Sequence, residues 1–230
     1  MDPAPARYVI RINGHLGATL LQAFPAMASR LQGAETVLTG LLDRSALYGV
    51  LAEVDCQARD EGWTLVFIRH LRHPPEKVWV ALTEPAQLRE WAPFLADRNL
   101  GSAGDATLTM IDGENAQDIP ASISRAEPPT LLEYTLGTDL LRWELDAIET
   151  GTRLTLRHTV QDRAWVPKVA AGWHLCLVVA EHLLDGKPVG PIRGEDARNY
   201  GWEELHHAYA ERLGIAGTGW PEEGHTGHGE

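Results

Sequence analysis

Apolar and polar residues alternate in five segments between residues 106 and 160, and polar residues occupy the opposite parity. A period of two is typical of a strand with one buried face and one wet face, so these segments predict an antiparallel sheet. A further strand is predicted at Trp63–Leu71. The apolar positions of the five segments are Ala106, Leu108 and Met110; Ile119, Ala121 and Ile123; Leu132, Tyr134 and Leu136; Leu141, Trp143, Leu145 and Ala147; and Leu154, Leu156, His158 and Val160.

Turn and breaker residues separate these segments. The dipeptides at 112–113 and 150–151 predict tight turns, and Pro120 predicts an edge strand or a bulge. After the last strand, residues 165–184 are predicted to form a long helix, closed by Asp-Gly at 185–186. This order of elements predicts the α+β class, with one long helix following an antiparallel sheet.

The first 62 residues show a different pattern. Strands are predicted at Tyr8–Ile12 and at residues 35–42, and a short helix is predicted within residues 19–27. Apolar residues at three- and four-residue spacings predict an amphipathic helix over Arg44–Arg59. Residues 1–62 are therefore predicted to be a small β-α-β-β-α module. Because a module of this size buries little apolar surface, we expect it to dock on the rest of the chain.

Short helices flank the predicted sheet. Prolines at 74–75 and at 85 predict two helix starts, because a proline in the first turn loses no hydrogen bond. Residues 187–213 are predicted to be a C-terminal extension whose last part is a short amphipathic helix, and residues 214–230 are predicted to be disordered. The sheet and the long helix together define a predicted domain at residues 63–186.

The charge balance narrows the possible partners. The chain of 230 residues has a formal net charge of −12, so phosphates would be repelled and general binding to nucleic acid is not expected. No apolar run is long enough to span a membrane, and the N-terminus does not resemble a secretory signal. Two cysteines, Cys56 and Cys176, both in predicted helices, do not form a disulfide framework, which favours a cytoplasmic location.

Three stretches carry a resemblance to a known family. They are HPPEKVWVALTEPAQLREWAPF at 73–94, GTRLTLRHTV at 151–160 and AAGWHLCLVVAEHLLDG at 170–186. They resemble the SRPBCC (START-like) superfamily, and within it the branch named for the activator of Hsp90 ATPase homologue. Residues 7–60, including LTGLLDRSALYGVL, look like a small module fused ahead of such domains.

The resemblance implies a helix-grip fold, in which a curved antiparallel sheet wraps around the long C-terminal helix and leaves a cavity between them. Members of the superfamily bind apolar molecules, and a few catalyse cyclisation or hydrolysis. We therefore expect a cytoplasmic carrier or sensor of a small apolar or aromatic molecule. A cyclase- or hydrolase-type enzyme using the same cavity, and a chaperone-like or protein-interaction role, are the alternatives.

Eight residues are predicted to line this cavity. Sheet parity places four of them on the inward face, two lie one turn apart on the long helix, and two lie where the second short helix closes one end. The alternative is that these side chains form ordinary core. The eight residues are Trp91, Phe94, Met110, Tyr134, Trp143, His158, Trp173 and Leu177.

Candidate chemistry is sparse in the sequence. His158 is either a satisfied core histidine or a group that orients a ligand or transfers a proton, with Tyr134 as a hydrogen-bond donor. His174 is expected at the cavity rim or in solvent. No nucleophile motif, metal-ligand spacing or phosphate loop is present, so we predict no catalytic residue, no metal and no cofactor. The expected partner is the apolar ligand, and a homodimer or a protein bound through the N-terminal module is also compatible with the sequence.

Overall fold

The structure, a computed structural model, describes residues 6–13, 28–32, 35–42, 52–60, 62–113 and 115–216. Three strands near the N-terminus, β1 (Ala6–Asn13), β2 (Ala28–Gln32) and β3 (Glu35–Leu42), form an antiparallel sheet in the order β1-β3-β2. The predicted β-α-β-β-α module also has three strands, and β1 and β3 agree with those predicted at Tyr8–Ile12 and residues 35–42. The helix predicted within residues 19–27 lies outside the described residues.

The second sheet has eight antiparallel strands in the order β4-β5-β11-β10-β9-β8-β7-β6. It is curved, and its strands follow one another in sequence from β6 to β11 before β11 returns to pair with β5. Its strands are β4 (Glu53–Ala58), β5 (Trp63–Leu71), β6 (Phe94–Ala96), β7 (Gly104–Asp112), β8 (Asn115–Glu127), β9 (Leu131–Leu136), β10 (Asp139–Ile148) and β11 (Gly151–Val160).

Two short helices lie between β5 and β6: α1 (Pro75–Thr83) and α2 (Pro85–Leu88). Both begin at the predicted prolines. The long helix α3 (Val166–Leu184) follows a 3-10 turn at Arg163–Trp165. It ends as predicted, with Gly186 in the left-handed region at φ +74°. The helix-grip arrangement of sheet and helix is therefore confirmed.

Cross-strand register aligns the inward residues in rows. One row runs Ile123, Tyr134, Leu141, His158, Leu65 and Cys56 from β8 to β4, because directly paired residues of an antiparallel sheet share a face. The next row runs Leu132, Trp143, Leu156, Phe67 and Val54. These rows and the buried residues of α3 form the core. The inward parity predicted for Tyr134, Trp143 and His158 is the one observed.

The helix predicted over Arg44–Arg59 is wrong for its second half. Residues 53–58 form strand β4, which pairs with β5 at the edge of the large sheet. Val54 and Cys56 are half-buried, whereas Asp55 and Gln57 are exposed, so the local period is two. The three-residue and four-residue spacings that favoured a helix depend on Leu47, Val50 and Leu51, which lie outside the described residues. Cys56 therefore lies on a strand.

Pro120 lies in an interior strand rather than at an edge. β9 pairs with β8 only from Ile123 onward, so only β7 is paired at the level of Pro120 and the missing N–H disrupts one ladder at most. A register shift falls between Ile123 and Arg125. The proline thus correctly indicated an irregular strand, although not an edge strand.

The C-terminal extension crosses the domain and then packs on α3. Residues 187–200, which we name the strap, include a 3-10 helix at Gly194–Tyr200 and lead into helix α4 (Trp202–Leu213). α4 contacts α3 and β4, and β1 of the small sheet contacts both the strap and α4. Ile215, within the tail predicted to be disordered, is buried in the core, while residues 217–230 lie outside the described residues.

Candidate ligand-binding site

Four predicted site residues form one aromatic cluster between the sheet and α3. The rings of Trp143 and Trp173 meet edge to face with centroids 5.1 Å apart. Trp91 contacts both of them, at 6.4 Å from Trp143 and 6.5 Å from Trp173. His158 lies 6.1 Å from Trp173. All four side chains are buried, and such tilted and edge-to-face contacts suit aromatic quadrupoles.

The other four predicted residues surround this cluster. Phe94 and Tyr134 form a second edge-to-face pair at 6.3 Å. Met110 pairs with Phe94 across β6 and β7 and is partly buried against the core. Leu177 is buried one helical turn after Trp173 on α3. The structure thus brings all eight residues into one core, although ring contacts alone do not separate a binding site from ordinary core.

His158 is saturated by hydrogen bonds at both ring nitrogens. The indole Nε1 of Trp173 donates to Nδ1 at 2.9 Å, and Nε2 lies 3.0 Å from Oδ2 of Asp139. Because Nδ1 accepts, the imidazole proton resides on Nε2 and points to the carboxylate, so His158 is neutral in this arrangement. The side chain of Asp139 is 31% exposed, and it therefore connects the buried histidine to solvent.

Tyr134 has unused hydrogen-bonding capacity. Its hydroxyl oxygen accepts from the indole Nε1 of Trp143 at 3.3 Å, and the residue is 2% exposed. Among the described residues, this indole is the only hydrogen-bond partner of the hydroxyl, so the O–H proton lacks an acceptor. Burial raises the pKa of Tyr134, which keeps the hydroxyl protonated and able to donate.

The third indole, that of Trp91, makes its hydrogen bond to the protein backbone. Trp91 donates to the backbone oxygen of Ala81 at 2.9 Å, which ties the end of α2 to α1. This contact fixes Trp91 as a wall of the cluster. Trp91 lies between α2 and β6, and Phe94 is the first residue of β6; that they close one end of a cavity stays a prediction.

The strap adds polar groups near the edge of the sheet. Arg193 donates from Nε to the oxygen of Ala92 and from Nη2 to the oxygen of Arg89, both at 2.9 Å. The backbone N–H of Glu195 donates to Asp112 at the end of β7. Ile192 is buried. The strap therefore lies over the edge between α2, β7 and α3, and no periodicity in residues 187–200 indicated this.

Arg193 also reaches the long helix. Burial raises the pKa of the Cys176 thiol to about 12, and the nearby positive charge of Arg193 partly opposes that rise. Burial lowers the pKa of Arg193 itself. Cys176 is three residues after Trp173 on α3 and Ala92 follows Trp91, so the guanidinium lies close to the two chain segments that carry Trp91 and Trp173.

His174 is not at a rim or in solvent, as the sequence suggested, but is 2% exposed beneath α4. Its Nδ1 lies 2.7 Å from the hydroxyl of Tyr209, which also accepts from the backbone N–H of Ala52 at 3.2 Å. Burial, with a smaller effect of Arg69, holds the pKa of His174 well below its ordinary value. This contact docks α4 and is separate from the aromatic cluster.

The described part of the chain contains no group of three or more His, Cys, Asp or Glu residues placed to hold a metal ion. It also contains no helix that is both long and apolar enough to cross a membrane.

Comparison with protein families separates the chain into two parts. The family model of the activator of Hsp90 ATPase homolog 1-like protein matches residues 72–184, which span α1 to the end of α3. Residues 72–184 are an AHSA1-like domain. Residues 7–65 match a domain of unknown function, DUF8691, which agrees with the predicted small module ahead of the AHSA1-like domain. The strap and α4 lie outside both matches.

Solved structures show the same fold. A conserved protein of unknown function from Enterococcus faecalis, EF2215, is 16% identical with a TM-score of 0.54, over 70% of this chain and 90% of that one. CalU16 from Micromonospora echinospora is 19% identical with a TM-score of 0.52, over 70% and 95%. SSP2350 from Staphylococcus saprophyticus is 18% identical with a TM-score of 0.50, over 56% and 98%. No curated protein matched the chain.

Proposed function

We propose that this protein binds a small apolar or aromatic molecule between the eight-stranded sheet and α3, as a carrier or sensor. The AHSA1-like fold is consistent with ligand binding. The aromatic cluster and Tyr134 offer three indoles and a phenol to an apolar ligand. Two hydrogen bonds hold these side chains in place, from Trp143 to Tyr134 and from Trp173 to His158. A wall that is apolar and preorganised, with few polar groups, is the usual composition of a small-molecule site.

The observation that carries this proposal is the hydroxyl of Tyr134. Its proton has no acceptor among the described residues, although the side chain is 2% exposed. Buried donors in native proteins are almost always paired, because an unpaired one costs about 1–3 kcal/mol. A carbonyl or ether oxygen of a bound molecule would supply the missing acceptor. This requirement favours a binding site over a plain aromatic core.

The enzyme alternative loses its proposed acid–base group. Transfer of a proton by His158 to a substrate would require breaking its contact with either Trp173 or Asp139. Among the residues whose side-chain exposure the structure describes, the exposed large apolar residues Val80, Trp165 and Val189 lie on three separate elements, which gives a chaperone-like role little support there.

The test uses a neutral aromatic probe with one acceptor group, methyl naphthalene-2-carboxylate, titrated against the full chain with tryptophan fluorescence as the readout. We expect saturable quenching at one site. Tyr134→Phe should weaken binding about fivefold or more, in line with the loss of one hydrogen bond. It should lower the thermal midpoint only modestly, because the 3.3 Å bond from the Trp143 indole loses its acceptor. The matched control is Tyr200→Phe, which removes a hydroxyl that makes no hydrogen bond among the described residues.

Absence of any saturable probe binding would overturn the proposal. Equal binding by wild type and Tyr134→Phe would remove the hydroxyl from the site. Native mass spectrometry of protein purified from its own host complements this test, because a stoichiometric small molecule retained with the protein would directly give the class of the natural ligand.

A further inference from the structure

Arg193 is a partly buried cation without an anionic partner. Its Nε and Nη2 donate to two backbone oxygens, those of Ala92 and Arg89. Among the described residues, no carboxylate lies at salt-bridge distance from it, and Nη1 makes no hydrogen bond. Glu90 interacts with it only at longer range, and the Asp112 carboxylate at the same edge accepts from the backbone of Glu195.

This arrangement is unusual for a guanidinium removed from water. Charges that leave water are normally paired or bound to a ligand, because desolvation disfavours them. Two other half-buried arginines have such a partner: Arg69 pairs with Glu181 at 2.9 Å, and Arg142 pairs with Glu133 and Glu144. The structure instead holds Arg193 in a fixed position with neutral oxygens and leaves Nη1 free.

Arg193 lies close to two chain segments that carry residues of the aromatic cluster. Through Ala92 it is one residue from Trp91, which contacts both other indoles of the cluster. Through its charge it reaches Cys176, one helical turn beyond Trp173. A planar guanidinium in this place presents free N–H donors at the border between an apolar interior and solvent.

We propose that Arg193 is the anion-recognition residue of the site, and that the natural ligand is an apolar or aromatic carboxylate. Its apolar body contacts the aromatic cluster and its carboxylate accepts from the free donors of Arg193. This inference rests on the proposed function and narrows the ligand class. Because the chain has a net charge of −12, a local cation is needed to accept an anionic ligand at all.

The proposal assigns a role to the strap. The strap lies outside both family matches, so this chain carries the cation in a segment that the AHSA1-like domain itself does not contain. Pinning of Arg193 to the carbonyls of Arg89 and Ala92 fixes the guanidinium before the ligand arrives, which reduces the entropic cost of binding.

The experiment compares two probes of the same shape, naphthalene-2-carboxylate and its methyl ester, on the full chain by isothermal titration calorimetry. We expect wild type to bind the carboxylate at least about tenfold more tightly than Arg193→Gln does. The two proteins should bind the ester with equal affinity. Arg193→Lys should recover part of the carboxylate affinity. Arg89→Gln is the matched control, because it removes an exposed positive charge from the same surface and leaves its backbone oxygen in place.

Each outcome decides one point. If wild type and Arg193→Gln bind the ester, and also bind the carboxylate with equal affinity, the carboxylate assignment is overturned and the proposed apolar site stands. If Arg89→Gln weakens carboxylate binding as much as Arg193→Gln, the effect is general electrostatics and the assignment is also overturned. If wild type binds neither probe, both proposals fail. Thermal unfolding of each variant shows whether a loss reflects unfolding, and Arg193→Lys then decides the matter.

Discussion

Two adjacent residues of the long helix, Trp173 and His174, make hydrogen bonds to different regions of the molecule. Trp173 faces the aromatic cluster and donates to a histidine that is backed by a carboxylate. His174 faces α4, and the hydroxyl of Tyr209 is its hydrogen-bond partner among the described residues. Neighbouring helix positions point about 100° apart, so one helix serves two regions. The comparison shows that a buried histidine can be stabilised with or without an anionic partner, and the two cases respond differently to change.

Truncating a side chain in the aromatic region should cause the largest loss of unfolding free energy. Trp143 is fully buried and contacts two other aromatic rings. Trp143→Ala should lower the free energy of unfolding by about 3–5 kcal/mol, measured by chemical denaturation, because it opens a large cavity. Trp165→Ala, at a residue 36% exposed, is the control and should cost little. Similar values for the two variants would contradict a packed aromatic cluster.

The α4 region should show a smaller loss that depends on one oxygen. Tyr209→Phe removes the hydroxyl that meets both His174 and the N–H of Ala52. The expected loss is about 1–3 kcal/mol of unfolding free energy, since buried partners are left unpaired. Tyr200→Phe on the adjacent 3-10 helix should be close to neutral. An unchanged free energy of unfolding for Tyr209→Phe would mean that α4 docks through apolar contacts alone.

The pH response should separate the two histidines further. Burial holds the pKa of His174 well below the ordinary 6.5, so below about pH 6.5 the unfolded chain takes up a proton that the folded chain does not. Unfolding free energy should therefore fall with decreasing pH, by at most about 1.4 kcal/mol per pH unit for this group. Denaturation at several pH values should give a shallower slope for His174→Gln.

His206 contributes in the same direction, because burial also lowers its pKa and His207 and Lys168 add to the effect. It stacks on Trp202 within α4. Replacing both His174 and His206 should give the smallest change of unfolding free energy with pH. A slope that neither substitution changes would show that other groups control the acid sensitivity of this protein.

The smallest effect is expected at the carboxylate of the aromatic region. Asp139 is partly exposed, so Asp139→Asn should cost at most about 1 kcal/mol while keeping an acceptor oxygen for His158. Chemical denaturation of the variant measures this cost. A loss as large as that of Trp143→Ala would show that Asp139 is essential to the cluster rather than an outer support.

The strength of local periodicity explains which parts of the fold were predictable. Alternation over β7 to β11 places each side chain on one of two faces, so the inward positions of Tyr134, Trp143 and His158 follow from counting. β4 was missed because its strand pattern of six residues is short and was merged with apolar residues upstream. β6 has three residues, which are too few to show an alternating pattern.

The candidate site was predictable as a set of residues and not as a set of bonds. Counting placed Trp173 inward, but it did not show that its indole would meet His158, nor that Asp139 would occupy the other nitrogen. His174 was misplaced because a polar residue on a helix suggests solvent unless a later segment covers it. α4 provides that cover through Tyr209, which is 35 residues further along the chain.

The sequence by itself determined the α+β class, the inward parity of the sheet, the long closing helix and the AHSA1-like resemblance, because these depend on local period and on contiguous motifs. Tertiary structure decided the tautomer of His158, the free hydroxyl proton of Tyr134 and the placement of Arg193 close to two chain segments that carry residues of the aromatic cluster. Arg193 contacts backbone oxygens about a hundred residues earlier in the chain. Contacts over such separations depend on how whole elements pack, which no local pattern records.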